Sequence, residues 1–159
     1  METVEIPDYV FEAFGMEPEH RCFCLDDALF TDESSGFTSR REDPAKDGGI
    51  PDLSRQEARL WFYYRATRYI DCGYEALHMG QVHLYTANDK GMAKTTELFS
   101  MIREYAKIHG RRHKILLDAH THGVNIRGKL LFDYHAMPFT RMPLLEVPGE
   151  ELVLVREGY

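Results

Sequence analysis

The sequence predicts an α/β fold with parallel strands and crossover helices, most simply a partial β/α barrel. Three observations carry this. Two amphipathic helical stretches alternate with two short apolar strand patterns. The helix-to-strand links are short, while the first strand-to-helix link is long and polar, an asymmetry that suits right-handed βαβ crossovers. The strands also turn polar on one face toward their carboxyl ends, where β/α folds place their sites.

The elements follow in order. Residues 9–14, YVFEAF, are apolar and aromatic after Pro7 and read as a short strand. Residues 16–53 read as a long polar loop, rich in Asp, Ser, Gly and Pro, with a helical turn near Asp26 to Phe30. Ser54-Arg-Gln-Glu57 has the spacing of a capping box and opens a helix through Trp61, Tyr64 and Ile70, which Gly73 ends as its left-handed residue. Residues 74–82, YEALHMGQV, form a strand pattern, and a polar loop through Asn88, Asp89, Lys90 and Gly91 follows. Leu98, Phe99, Ile102, Tyr105, Ala106 and His109 recur on one helical face, with Gly110 beyond it. KILLDA at 114–119, KLLFDYH at 129–135 and LVLV at 152–155 complete the strands.

Length and charge set limits. The 159 residues suffice for one domain with a real core. They are too few for a complete eight-fold barrel, which usually takes about 250. The expectation is therefore a single α/β domain over 1–159, most simply a fragment of a larger barrel; pairing with a second chain, or with a second copy as the missing half, and an open sheet are the alternatives. Hydrophobic residues at 43% and charged residues at 28% are ordinary for a globular chain, which argues against disorder. The net charge of −7 argues against nucleic acid as partner. The single compact basic run, Arg111, Arg112, His113 and Lys114, falls where a helix ends and complements its dipole. His20-x-Cys22-x-Cys24 lacks the second ligand pair of a zinc site, and three cysteines form no disulfide framework. No basic-plus-apolar leader opens the chain and no apolar run reaches membrane-spanning length, so no membrane and a cytoplasmic location are expected.

Side chains alternate across a strand, which sorts each strand into two faces. In residues 75–81, Leu77 and Met79 oppose Ala76, His78 and Gly80. In 115–120, Ile115, Leu117 and Ala119 oppose Leu116, Asp118 and His120. In 130–135, Leu130, Phe132 and Tyr134 oppose Leu131, Asp133 and His135, and in 9–14 Glu12 falls between Phe11 and Ala13. The candidates that converge at the strand ends are Glu12, His78, Gln81, Asp118, His120, His122, Asp133 and His135. A lone histidine is usually only hydrogen-bonded, and a lone aspartate is often a cap. Several strands ending in ionisable groups are better explained by a pocket, because burying such groups unpaired costs several kcal/mol each.

Two resemblances bear on chemistry. LLDAHTHG, with Asp118, His120 and His122, resembles the first metal-binding strand of the amidohydrolase superfamily. That likeness implies a metal-dependent hydrolase in which His120 and His122 hold zinc or another divalent ion with Asp118 behind them. A wider stretch over 55–141, containing RYIDCGYEALHMGQVHLY, HKILLDAHTHG and GKLLFDYHAMP, resembles glycoside-hydrolase-like β/α (TIM) barrel proteins of bacteria. That likeness implies a carbohydrate-active domain without a cofactor. It pairs Asp118 with Glu12 or Asp133 as proton donor and base or nucleophile, and puts His78, Gln81, His120 and His135 on the sugar. Such a pair would lie about 5–5.5 Å apart for retention and about 6.5–9.5 Å apart for inversion. A third expectation is a non-catalytic ligand-binding module built on the same cluster.

Overall fold

The computed structural model describes residues 1–30, 49–121, 123–135, 144–146 and 154–156. Its frame consists of two long helices and a small parallel sheet. Helix α1 covers Asp8–Ala13, α2 Leu25–Ala28 and α3 Gln56–Asp71; strand β1 covers Ala76–His78; α4 covers Val82–Tyr85 and α5 Ala93–His109. Strand β2 covers Leu116–Ala119, β3 Asn125–Ile126, β4 Lys129–Leu130, β5 Tyr134–His135, β6 Leu144–Glu146 and β7 Leu154–Arg156.

The first departure from expectation is α1. Residues 9–14 form a helix where alternation predicted a strand. Val10 and Phe11 are adjacent and both fully buried, which a helix packed on α3 permits and a strand with one buried face does not. The second departure is the start of α3. Its N-cap is Arg55, and no side chain caps it. Glu57 instead accepts hydrogen bonds from the Arg21 guanidinium, both at 3.0 Å, and from the Cys24 N–H at 2.8 Å. A partner from the N-terminal segment has thus replaced the local capping box. The turn before α3 is held by Asp52, which accepts from the Ser54 N–H and the Asn88 amide.

The end of α3 is as expected. Gly73 takes φ +88°, and the N–H groups of Gly73 and Tyr74 return to the Ile70 and Tyr69 carbonyls. Helix α5 buries Thr95, Leu98, Phe99, Ile102 and Ala106, the predicted stripe with Thr95 added. Its first turn is satisfied by Asp89, whose carboxylate accepts from the Thr95 N–H and hydroxyl. At its end a Cβ on Gly110 would meet the Ala106 carbonyl oxygen at 2.5 Å, so only glycine fits there.

The sheet runs β1–β2–β5 with all neighbours parallel. The predicted strand 74–82 is shorter than expected. It ends at His78, and the chain turns at Gly80 (φ +71°) into α4. The predicted strand 129–135 divides at Leu131–Asp133. Its first part pairs antiparallel with β3, and its last two residues pair with β2. Strands β6 and β7 form a separate antiparallel pair, of which only β7 overlaps the expected C-terminal strand.

Leu77, Ile115, Leu117 and Ala119 join Leu60, Leu98, Phe99 and Ile102 in one core. Helices α3 and α5 pack on each other and cover this one face of the sheet. The opposite face carries Ala76, His78, Leu116 and Tyr134, all exposed, around the buried Asp118. Residues 31–48, the middle of the expected long loop, lie outside the described residues. The flanks on either side are folded, with bridges Glu5 to Cys22 and Leu29 to Pro51. No helix among the described residues is long and apolar enough to cross a membrane.

Candidate functional site

The parallel register sets the site. His78 of β1 lies opposite Asp118 of β2, and Asp118 lies opposite Tyr134 of β5. The three side chains therefore form a row across one face at the carboxyl end of the sheet. His120 follows two residues after Asp118, and its N–H donates to the Gly80 carbonyl at 2.9 Å, continuing the ladder past the strand end.

Asp118 is the buried centre, 4% exposed. A carboxylate so placed needs a partner, and His78 supplies it through Nδ1 at 2.8 Å from Oδ2. The His78 side chain remains 44% exposed. With Asp118 ionised, Nδ1 carries the ring proton and Nε2 presents its lone pair to the outside. The His120 ring lies 4.5 Å from that of His78, tilted by 59°. Tyr134, opposite Asp118 on the neighbouring strand, is exposed. Its pKa is raised, first by lost solvation and then by the negative charge of Asp118.

A cleft of about 520 Å³ opens beside this row, between α3 and β1. Phe62, Arg65 and Tyr69 from the helix and Tyr74 from the turn form one wall; His78, Met79 and Gly80 form the other. His78 thus belongs both to the carboxylate pair and to the cleft.

The other candidates are placed differently. Glu12 is exposed on α1, a helix that packs on α3, so it is not a strand-end residue. Asp133 is engaged structurally: its carboxylate accepts from the Leu117 N–H at 2.8 Å and from Arg103 at 3.2 Å, and its own N–H donates to the Leu117 carbonyl. Gln81 is the half-buried N-cap residue of α4, just past the end of β1. The His135 backbone pairs with Ala119, and its side chain lies outside the described residues, as does His122. Sequence reasoning placed Asp133 and His135 on the site face of β5, whereas Tyr134 occupies the row with Asp118. It also passed over Arg65, Tyr69 and Tyr74.

Among the described residues no group of three or more His, Cys, Asp or Glu side chains converges as metal ligands. His78 and His120 offer two imidazoles, while Asp118 stands behind His78 as a hydrogen-bond acceptor. The described residues therefore do not make a complete divalent-ion site.

The chain matches no family model, and no curated protein or solved structure is detectably similar to it.

Proposed function

We propose that this protein is a carbohydrate-active domain of hydrolytic type in which His78, oriented by Asp118, is the acid–base group. The observation that carries the reading is the 2.8 Å bond from His78 Nδ1 to a carboxylate that is itself 4% exposed. A buried carboxylate that fixes the tautomer and aim of a histidine leaves Nε2 free to take a proton from water or from a substrate hydroxyl. With Asp118 stabilising its imidazolium form, His78 would give a proton to the departing oxygen as the glycosidic C–O bond breaks; water would then bond to the anomeric carbon and its released proton would restore the imidazolium. His120, beside the same ring, would bind substrate.

The sugar class rests on the likeness of residues 55–141 to glycoside-hydrolase-like barrels and on the aromatic cleft that contains His78. It is a different arrangement from a pair of catalytic carboxyls, since Glu12 and Asp133 are held elsewhere. Among the described residues helices cover one face of the parallel sheet, which supports the reading of the fold as a section of barrel wall, because doubly wound sheets carry helices on both faces. Three unpaired thiols at Cys22, Cys24 and Cys72 fit a reducing, cytoplasmic setting.

The test is a panel of 4-nitrophenyl glycosides with release of 4-nitrophenol as readout. Turnover should fall by at least about 100-fold in His78→Gln and in Asp118→Asn while both variants keep a cooperative melt. Undiminished turnover in His78→Gln would sink the assignment. Saturable sugar binding with no turnover in any member of the panel would leave the non-catalytic module as the better reading.

A further inference from the structure

We infer that the cleft between α3 and β1 is a subsite for an anionic sugar ring, with Arg65 holding the anionic group and Tyr69 and Tyr74 contacting the ring. The inference rests on the proposed hydrolytic reading only in naming the bound molecule as substrate.

Arg65 is the one permanently charged side chain in the cleft wall among the described residues. Its guanidinium carbon sits 6.0 Å from the Trp61 ring centre and 5.9 Å from that of Tyr69, one helical turn to either side. No carboxylate pairs with it among the described residues, although the chain carries a net charge of −7. A guanidinium held between two aromatic faces, unpaired and at the mouth of a cleft, is placed to receive a carboxylate or phosphate through paired N–H donors.

The rest of the wall selects a ring. Tyr69 and Tyr74 meet edge to face at 5.3 Å and are 40% and 56% exposed, large apolar surfaces left open beside Phe62. A pyranose has an apolar C–H face that such rings can cover and hydroxyls that need donors and acceptors. β1 supplies those. It is the terminal strand of the sheet, so its outer backbone edge has no strand partner among the described residues and opens on the cleft. The cleft volume of about 520 Å³ is in the range of small-ligand sites. His78 at the far wall would then lie beside the ring held by Arg65.

Trp61 is the only tryptophan in the chain and touches Arg65, so its fluorescence reports the subsite without requiring turnover. The probes are methyl β-D-glucuronide, its neutral counterpart methyl β-D-glucoside, and glucose 6-phosphate. Saturable quenching by the glucuronide or the phosphate, at least about tenfold tighter than by the glucoside, is expected. The stronger of the two anions identifies the charged group. Arg65→Gln should abolish the preference for the anions, bringing all three probes to similar affinity, and Tyr74→Ala should weaken all three. Equal affinity for glucoside and glucuronide with no advantage for the phosphate, absence of any saturable quenching, or an anion preference that survives Arg65→Gln would each overturn the inference. Failure of the hydrolytic reading looks different: anion-selective quenching in a protein that turns over no glycoside.

Discussion

The two faces of the β1–β2–β5 sheet differ in almost every respect. One face, with Leu77, Leu117 and Ala119, is closed under α3 and α5 by apolar side chains. The other, one residue along each strand, places His78, Asp118 and Tyr134 in a row and leaves most of it open. The pleat alone creates this division, since successive side chains point to opposite sides. The buried face sets how firmly the molecule folds. The open face is where chemistry can occur without disturbing that core.

This contrast is broken most severely at Leu117. It is fully buried, and Leu117→Ala should destabilise the fold by about 2–5 kcal/mol, read as a shift in the urea midpoint. His78→Gln, one strand away on the open face, keeps an amide that can donate to Asp118 and should cost no more than about 1.5 kcal/mol while removing turnover. Equal destabilisation by both substitutions would show that the two faces are not separate in the way described.

Gly110→Ala should cost about 1–3 kcal/mol, because its Cβ would press on the Ala106 carbonyl oxygen; a thermal melt checks this. Alkali should act on the core side. Burial raises the pKa values of Tyr9, Tyr63, Tyr85 and Tyr105 above the ordinary 10.0, so each contributes stability that is present below that value. That stability is lost as pH rises above about 10, where the unfolded chain ionises first. Denaturation midpoints at successive pH values should fall over that range.

The smallest effect is expected at Tyr85. Its hydroxyl is buried without a hydrogen-bond partner among the described residues. Tyr85→Phe should therefore be neutral or stabilising by up to about 1 kcal/mol, and should flatten part of the alkaline loss.

The regular parts of this architecture were legible because their signals are local. The stripe through Leu98, Ile102 and Ala106 needs only the helical period, and Gly73 needs only its φ. Asp118 and His78 were found because alternation runs unbroken along β1 and β2. In the stretch from 129 to 135 the bend at Leu131–Asp133 breaks the alternation, so counting along it put the wrong residue beside Asp118. Asp133, which resembled a catalytic acid, is held to a backbone amide that only the folded sheet brings near. Arg21 and Cys24 take Glu57 from a capping box in the same manner. Arg65, Tyr69 and Tyr74 looked like ordinary helix and turn residues until the cleft between α3 and β1 gave them a common surface.

Asp133 has a further consequence. It holds Leu117 by both its backbone N–H and its side chain, and β5 beyond it is only two residues long. The position of the Tyr134 phenol therefore depends on this one junction more than on an extended ladder. A single substitution at Asp133 would free the Leu117 N–H and re-aim what stands beside Asp118. In evolutionary terms, one codon change at this junction alters the open face of the sheet.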